Sequence, residues 1–373
     1  MKGGNIYGMG LSKGAVTFSR YRVIGDLPDN LPDFIDTKLK RFSFRNALSD
    51  EEKSIGWTSL DNLLDTKFEY ASYSLGTYIV FSLRIDRKVI PPSLLKIRVL
   101  EAEREYMADK GTHKIYRQDK RDIKENVKAE LMRTISPIPS FHEVCWSPSQ
   151  GWLLFGSLTE KVQIDFEEFF KQTFDLRLVN FIPWDPEYME EKVLRDMASA
   201  EIGTTKRELS SLGRELLTWL WFKSEERGGS IMIPGEGDIE LTFIERLALE
   251  SGEGEYSEKV VCRGFHADME EGKAALRKGK KIKEARLRIA TGSEQMDFSI
   301  RADHFQFQSM KMPDGIGEDE GGHDDEGRLL ERIYLIEKVW GTMERLFLLF
   351  LEKRLSPKWN SEEVSHMKKW IAE

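Results

Sequence analysis

The chain has 373 residues, 40% of them hydrophobic and 11% aromatic, which supports a substantial core and excludes a wholly disordered polymer. Single cores rarely grow beyond roughly 250 residues, so two or three structural units are expected. Charged residues reach 32% and the net charge is -8, which excludes a uniformly basic nucleic-acid binder and makes the placement of the cations the question.

Cys145 and Cys262 stand far apart, without CxxC or Cys/His spacing, so neither a disulfide framework nor a zinc site is expected. Residues 1–10 lack an apolar run of signal-peptide length. The longest apolar run, 346–351, is far short of the ~20 residues that span a bilayer. These features predict a reduced, cytosolic protein with no membrane partner.

Residues 16–27 read as a strand, and the acidic, proline-containing stretch 26–33 opens a helix that carries Phe34, Leu39 and Phe42. A strand pair is expected at 68–74 and 77–85, where Tyr, Val and Phe alternate with polar residues around Gly76. Pro91-Pro92 starts a helix that runs from 93 to about 108 and breaks at Asp109-Lys110-Gly111. Its successor runs from about 118 to 135 and stops at Pro137 and Pro139, so 93–135 is a charged helical hairpin. Strands at 144–146 and 152–156 and an amphipathic helix at 164–174 complete the order βαββααββα. That order predicts an α+β domain over 1–185 with a mainly antiparallel sheet.

Past an acidic stretch at 185–191, the apolar helix 209–226 carries Leu212, Leu216, Trp219, Leu220 and Phe222 and ends at Gly228-Gly229. Strands at 230–233 and 239–249, a finger near 255–280 with a short helix, and a β-meander within 283–312 form a second α+β region, 186–313. The acidic, glycine-rich stretch 314–327 is expected to be a flexible linker. In the C-terminal segment 328–373, a long helix presents Leu330, Ile333, Ile336, Trp340, Met343, Phe347 and Phe350 as an apolar stripe.

Two basic runs stand out against the acidic average. In the hairpin, Lys110, His113, Lys114, Arg117, Lys120, Arg121, Lys124 and Lys128 recur with few apolar residues between them. Arg117, Arg121, Lys124 and Lys128 are three or four apart, share one helix face and suit a phosphate backbone; a solvated helix laced by Asp122 and Glu125 accounts for the same run. The second run is Arg277, Lys278, Lys280, Lys281, Lys283, Arg286 and Arg288. On a strand, Arg286 and Arg288 point outward while Ala285, Leu287 and Ile289 point to the core; an edge strand guarded by lysines is the alternative. Were both runs to face one groove, a sequence-tolerant DNA site would follow.

Enzymatic material is thin. Glu236, Asp238 and Glu240 alternate as a metal-dependent nuclease requires, although beside Gly235 and Gly237 such a triplet is commoner in a loop. His323 with Asp324 and Asp325 lacks EF-hand spacing. The histidines do not cluster, and no GxxxxGK[ST], GxSxG or HExxH occurs. No catalytic residue, metal or cofactor is assigned. Trp219 and Trp221 read as core, whereas Phe141, at the end of the hairpin, fits either core or interface.

The order of several short motifs resembles the RdgC family of recombination-associated proteins. They are Gly56-Trp57, Lys88-Val-Ile-Pro-Pro-Ser93, Pro139-Ser-Phe141 followed by Trp146, Leu217-Thr-Trp-Leu-Trp-Phe-Lys-Ser-Glu225, Cys262-Arg263-Gly264 and Arg277-Lys-Gly-Lys280. The resemblance implies an elongated, multi-lobed subunit that pairs into a ring-like homodimer around DNA. Such a ring binds duplex and single-stranded DNA without sequence preference and restrains RecA-dependent recombination, in the cytoplasm and on the nucleoid. By position it implies that Lys110, Lys114, Arg117, Lys120, Arg121, Lys124 and Lys128 line the hole, with Lys278, Lys280, Lys281 and Lys283 as further DNA contacts. Arg263 falls near a finger that touches DNA, and Phe141 at a ring-closing interface. In place of the paired Lys-Lys-Gln of some members, this finger offers Arg263, Gly264, Phe265 and His266. The exonuclease label sometimes attached to the family finds no supporting residues in this sequence. The alternatives are a metal-dependent nuclease using Glu236, Asp238 and Glu240, and a protein-interaction module acting through the C-terminal helix.

Overall fold

The structure is a computed structural model that describes residues 10–46, 51–69, 72–200, 202, 206–235, 237–251, 258–264, 270–292, 294–313 and 325–372. In chain order it begins with β1 (Val16–Ile24), α1 (Leu31–Arg41), β2 (Lys53–Thr58), β3 (Ser74–Leu75), β4 (Tyr78–Arg87), α2 (Pro92–Lys110) and α3 (Arg117–Thr134). There follow β5 (Ile138–Ser147), β6 (Trp152–Phe155), α4 (Glu160–Phe174), β7 (Arg177–Asn180), α5 (Glu191–Ser199) and α6 (Lys206–Glu225). The remainder is β8 (Ser230–Ile233), β9 (Gly237–Glu250), β10 (Lys259–Gly264), α7 (Glu270–Arg277), β11 (Lys281–Thr291), β12 (Glu294–Arg301), β13 (Gln306–Lys311), α8 (Asp325–Leu355) and α9 (Glu363–Ala372). The architecture is α+β with antiparallel sheets. Two compact units divide the chain, one of residues 1–8, 24–149 and 164–177, the other of 9–23, 150–163 and 178–373.

In the first unit β4 is the central strand, paired with β2 on one side and with β5 on the other, from Ile79↔Trp146 to Arg87↔Ile138. Phe166, Phe170 and Phe174 recur every fourth residue along α4, so they fall on one face and meet the sheet as a ring cluster. Trp57 is edge-on to Phe81 at 5.0 Å, and Phe170 packs on Phe174 at 4.7 Å. The Trp57 indole N–H donates to Thr173 Oγ1 at 3.0 Å, which satisfies the polar atom of a fully buried ring. Gly56 beside it is required by space, because a Cβ there would lie 2.3 Å from the Phe44 Cα.

Of the strand expected at 68–74, residues 70–71 lie outside the described residues, and of the others Ser74 alone is in a strand. The Asp65 carboxylate accepts the backbone N–H groups of Lys67 and Phe68, and Phe68 takes a left-handed φ of 51°. This Asx-type turn halts extension and drops the Phe68 ring into the core, leaving only Ser74–Leu75 to pair with β4. The long partner of β4 is instead β2, whose sequence shows no clean alternation.

In the second unit the strand order is β10-β9-β11-β12-β13-β1-β6, with β8 also on β9. Hence the first strand of the chain lies beside the last, with Phe18 opposite Phe307 and their rings stacked at 5.2 Å. The α6 and α8 helices bring Trp219, Trp221, Trp340, Phe347 and Phe350 into this core. Of the apolar stripe read for the C-terminal helix, every member is buried within the chain except Leu330. Gly213 on α6 permits a close crossing, since a Cβ would meet the Ala302 carbonyl oxygen at 2.1 Å and the Trp184 ring at 2.5 Å. Arg332 on α8 is buried and donates to the carbonyls of Gly10, Leu11 and Gly14 at 2.5, 2.7 and 2.6 Å. Most of the acidic linker, 314–324, lies outside the described residues, while Asp325 and Glu326 form the first turn of α8, where carboxylates suit the helix dipole.

Candidate nucleic-acid interface

The hairpin is built by local chemistry. Pro92 occupies the first turn of α2, where a missing N–H costs nothing, and Gly111 closes the helix in the left-handed region at φ 59° with its N–H bonded to the Ala108 and Met107 carbonyls. Thr112 and Lys114 form the turn, and α3 then begins after Tyr116. Val127 and Leu131 are the buried side chains of α3, and α2 buries none fully. The hairpin therefore presents most of its surface to water.

Of its acidic groups Glu103 and Asp119 are half-buried against the hairpin itself, while Glu101, Glu105, Asp109, Asp122, Glu125 and Glu130 are exposed. Glu103 on α2 pairs with Lys120 on α3 at 3.4 Å, and Gln118 donates to Asp122 at 2.9 Å. The Tyr106 phenol sits above its ordinary pKa, through partial desolvation and then the Asp119 carboxylate that accepts its proton. Lys110, Lys114, Arg117, Arg121, Lys124 and Lys128 are exposed. At 100° per residue, Arg117, Arg121, Lys124 and Lys128 fall within an arc of about 60°, forming a cationic ridge along α3. Among the described residues none of these four forms an ion pair.

The second basic run behaves differently. Lys278 and Lys281 are exposed, but Lys280 is only 7% exposed and its ammonium lies 2.5 Å from Glu258. Lys283 pairs with Glu250 at 2.5 Å. Ala285, Leu287 and Ile289 are core, as alternation requires, yet Arg286 does not stand out into solvent. It is buried on the opposite face, 3.0 Å from Glu245 and within 3.4 Å of the Ser309 carbonyl. Arg288 is clamped by Asp297. The outward basic face expected on this strand is thus largely neutralised by neighbouring strands.

Arg263 is exposed on β10 and stands directly across from Arg246 on β9. Like charges so placed repel unless an anion or carboxylate intervenes, and Glu284 lies 3.4 Å from Arg246. Arg246 was not singled out from the sequence, since only the register of β9 against β10 brings it beside Arg263. The remainder of the expected finger, 255–257 and 265–269, including Phe265 and His266, lies outside the described residues. Phe141 is on β5, 8% exposed, with the Arg84 guanidinium 5.6 Å from its ring centroid and Arg84 itself bonded to Asp86.

Asp238 and Glu240 lie on one exposed face of β9, and their third member, Glu236, lies outside the described residues. No group of three His, Cys, Asp or Glu side chains among the described residues is placed to hold a metal ion. No helix among the described residues is long and apolar enough to cross a membrane.

Comparison with known families places this hairpin in context, because residues 19–196 match the family described as "Putative exonuclease, RdgC". The likeness is that of this segment, a little under half of the chain. The RdgC match takes in the whole of the hairpin and Phe141, and it ends inside α5, before Arg263 and the basic run that starts at Arg277. No curated protein matches the chain.

Proposed function

We propose that the chain is a non-catalytic, sequence-independent DNA-binding protein of the RdgC type. In this reading it pairs into a ring-shaped homodimer that encloses duplex DNA, also takes single strands, and modulates RecA-dependent recombination or replication in the cytoplasm and on the nucleoid. The observation that carries it is the α3 ridge of Arg117, Arg121, Lys124 and Lys128, exposed and without carboxylate partners, inside the segment that matches RdgC. Such a row reads phosphate and not base edges, so the affinity it supplies depends on salt and ignores sequence. Lys110, Lys114 and Lys120 extend the ridge, while Lys278, Lys281 and Arg263 are the exposed cations of the other unit that remain candidates. Lys280 and Lys283 are weaker candidates, since each already holds a carboxylate.

The test is a salt-titrated binding assay on unrelated duplexes, with the chain as it stands and with K120E, R121E and K124E combined. Arg121 and Lys124 are exposed and unpaired, whereas Lys120 gives up its ion pair with Glu103, so helical content and unfolding of the variant are compared with those of the parent chain. Affinity should fall by on the order of a hundredfold or more at 0.1 M salt, equally for all sequences. Unchanged affinity would remove the hairpin from any DNA site. Divalent-cation-dependent degradation of the DNA, lost in Asp238→Ala, would overturn the non-catalytic reading.

A further inference from the structure

We propose that Tyr116, at the tip of the hairpin formed by α2 and α3, is a stacking platform for an unpaired base and strengthens the binding of single-stranded over duplex DNA.

Of the aromatic side chains among the described residues, only Tyr116 and Tyr334 are exposed, and Tyr116 is the more so at 70%. A single apolar side chain at a surface needs no explanation by itself. The position of this one does. Tyr116 is the N-cap residue of α3, where Ser, Thr, Asp or Asn would bond a free backbone N–H, and its side chain makes no such bond. At that exposure the ring adds little to the packing of the hairpin, whose buried side chains on α3 are Val127 and Leu131. Other groups order the tip: Gly111 closes α2 in the left-handed region, the Thr112 hydroxyl accepts the Lys114 N–H, and the Tyr116 carbonyl accepts the Lys120 N–H. The ring is therefore neither core nor cap, yet it stands at a defined point of the backbone.

The surroundings of the ring select its ligand. Lys110, His113, Lys114, Arg117, Lys120 and Arg121 are all exposed on the same stretch of chain, and the Lys114 ammonium lies 5.9 Å from the ring centroid. The one carboxylate between residues 110 and 121, Asp119, is half-buried and accepts a hydrogen bond from the Tyr106 phenol. A flat aromatic face set among cations matches a nucleotide, which brings a π face and a phosphate together. Bases within a duplex stack on one another and leave no face for a side chain, so the ring acts on single strands while the cations serve both forms. This deepens the DNA-binding reading above and rests on it: the α3 ridge supplies charge, and Tyr116 supplies the distinction between the two forms.

Equilibrium binding of the full chain to an oligothymidine strand and to a mixed-sequence duplex, at one salt concentration, tests it. Tyr116→Ala should weaken single-strand binding by roughly five- to a hundredfold, the worth of one stacked base, and leave duplex affinity where it was. The slope of log affinity against log salt should not change, because no charge is lost. Tyr116→Phe should keep the parent's single-strand affinity, and Tyr116→Leu, apolar but without a π face, should lose it. Helical content should stay the same in all three, since the Tyr116 carbonyl still accepts from Lys120. Equal losses on both DNA forms in Tyr116→Ala, or full single-strand affinity in Tyr116→Leu, would overturn the assignment. So would a changed mass in solution with the ratio of the two affinities unaltered, which would make the ring a protein contact. A parent chain that binds neither form sinks the DNA reading and this one with it; a parent that binds both, with Tyr116→Ala indistinguishable from it, sinks this one alone.

Discussion

The guanidinium of Arg288 on β11 and the carboxylate of Asp297 on β12 stand opposite each other in register and share two hydrogen bonds, of 2.7 and 2.9 Å. This two-point bond consumes a cation that the sequence offers as surface charge. The hydrogen bond from Arg288 holds the Asp297 carboxyl below the ordinary carboxylate range. Because the folded value is the lower one, the bond stabilises the fold fully above the unfolded value and is lost as the pH falls through the folded value. The stability difference between the parent chain and Asp297→Asn, from urea unfolding, should be constant from pH 7 to about 5 and shrink as the pH drops below about 4. A difference that grows on acidification would contradict the assignment.

Arg288→Ala and an alanine replacement on the α3 ridge should separate cleanly in a salt titration. Each of Arg117, Arg121, Lys124 and Lys128 changed to Ala should reduce the slope of log affinity against log salt by about 0.9 if it neutralises a phosphate of duplex DNA. Arg288, already held by Asp297, should leave the slope where it was.

Gly213→Ala should destabilise the second unit by roughly 1–3 kcal/mol or more, since the added carbon must push aside the Ala302 carbonyl and the Trp184 ring. Thermal or urea unfolding measures it. A neutral effect would mean that the crossing of α6 over this turn is looser than its geometry requires.

Trp57→Phe should cost about 1–3 kcal/mol by removing the bond to Thr173 and leaving part of the indole volume empty. Thr173 keeps its own bond to the Phe169 carbonyl, so Thr173→Val should cost less than the indole change; the two unfolding curves decide the order.

The hairpin was legible because its punctuation is local. Pro92, Gly111 and Pro137 act through their own backbone, and α3, expected at 118–135, is observed one residue earlier at Arg117–Thr134. The β2 strand was not legible, because Lys53 to Thr58 carries a glycine and no alternation and is held extended by β4. The extended reading of 68–74 failed on a single side chain, Asp65, which captures two backbone donors. Alternation found the core side of β11 but not the fate of Arg286 and Arg288, for their acids, Glu245 and Asp297, come from β9 and β12, whose register no local pattern reveals. By the same route Arg246 reaches Arg263 unannounced.

The three carbonyls that Arg332 grips belong to residues 10–14, so a buried charge in the last long helix depends on a short loop near the other end of the chain. Trimming the protein to residue 15 would strip that guanidinium of these acceptors inside a dry core, at a cost of roughly 3–5 kcal/mol. The opening loop is thus a peg for α8, and shortened versions made for convenience would unfold from the far end.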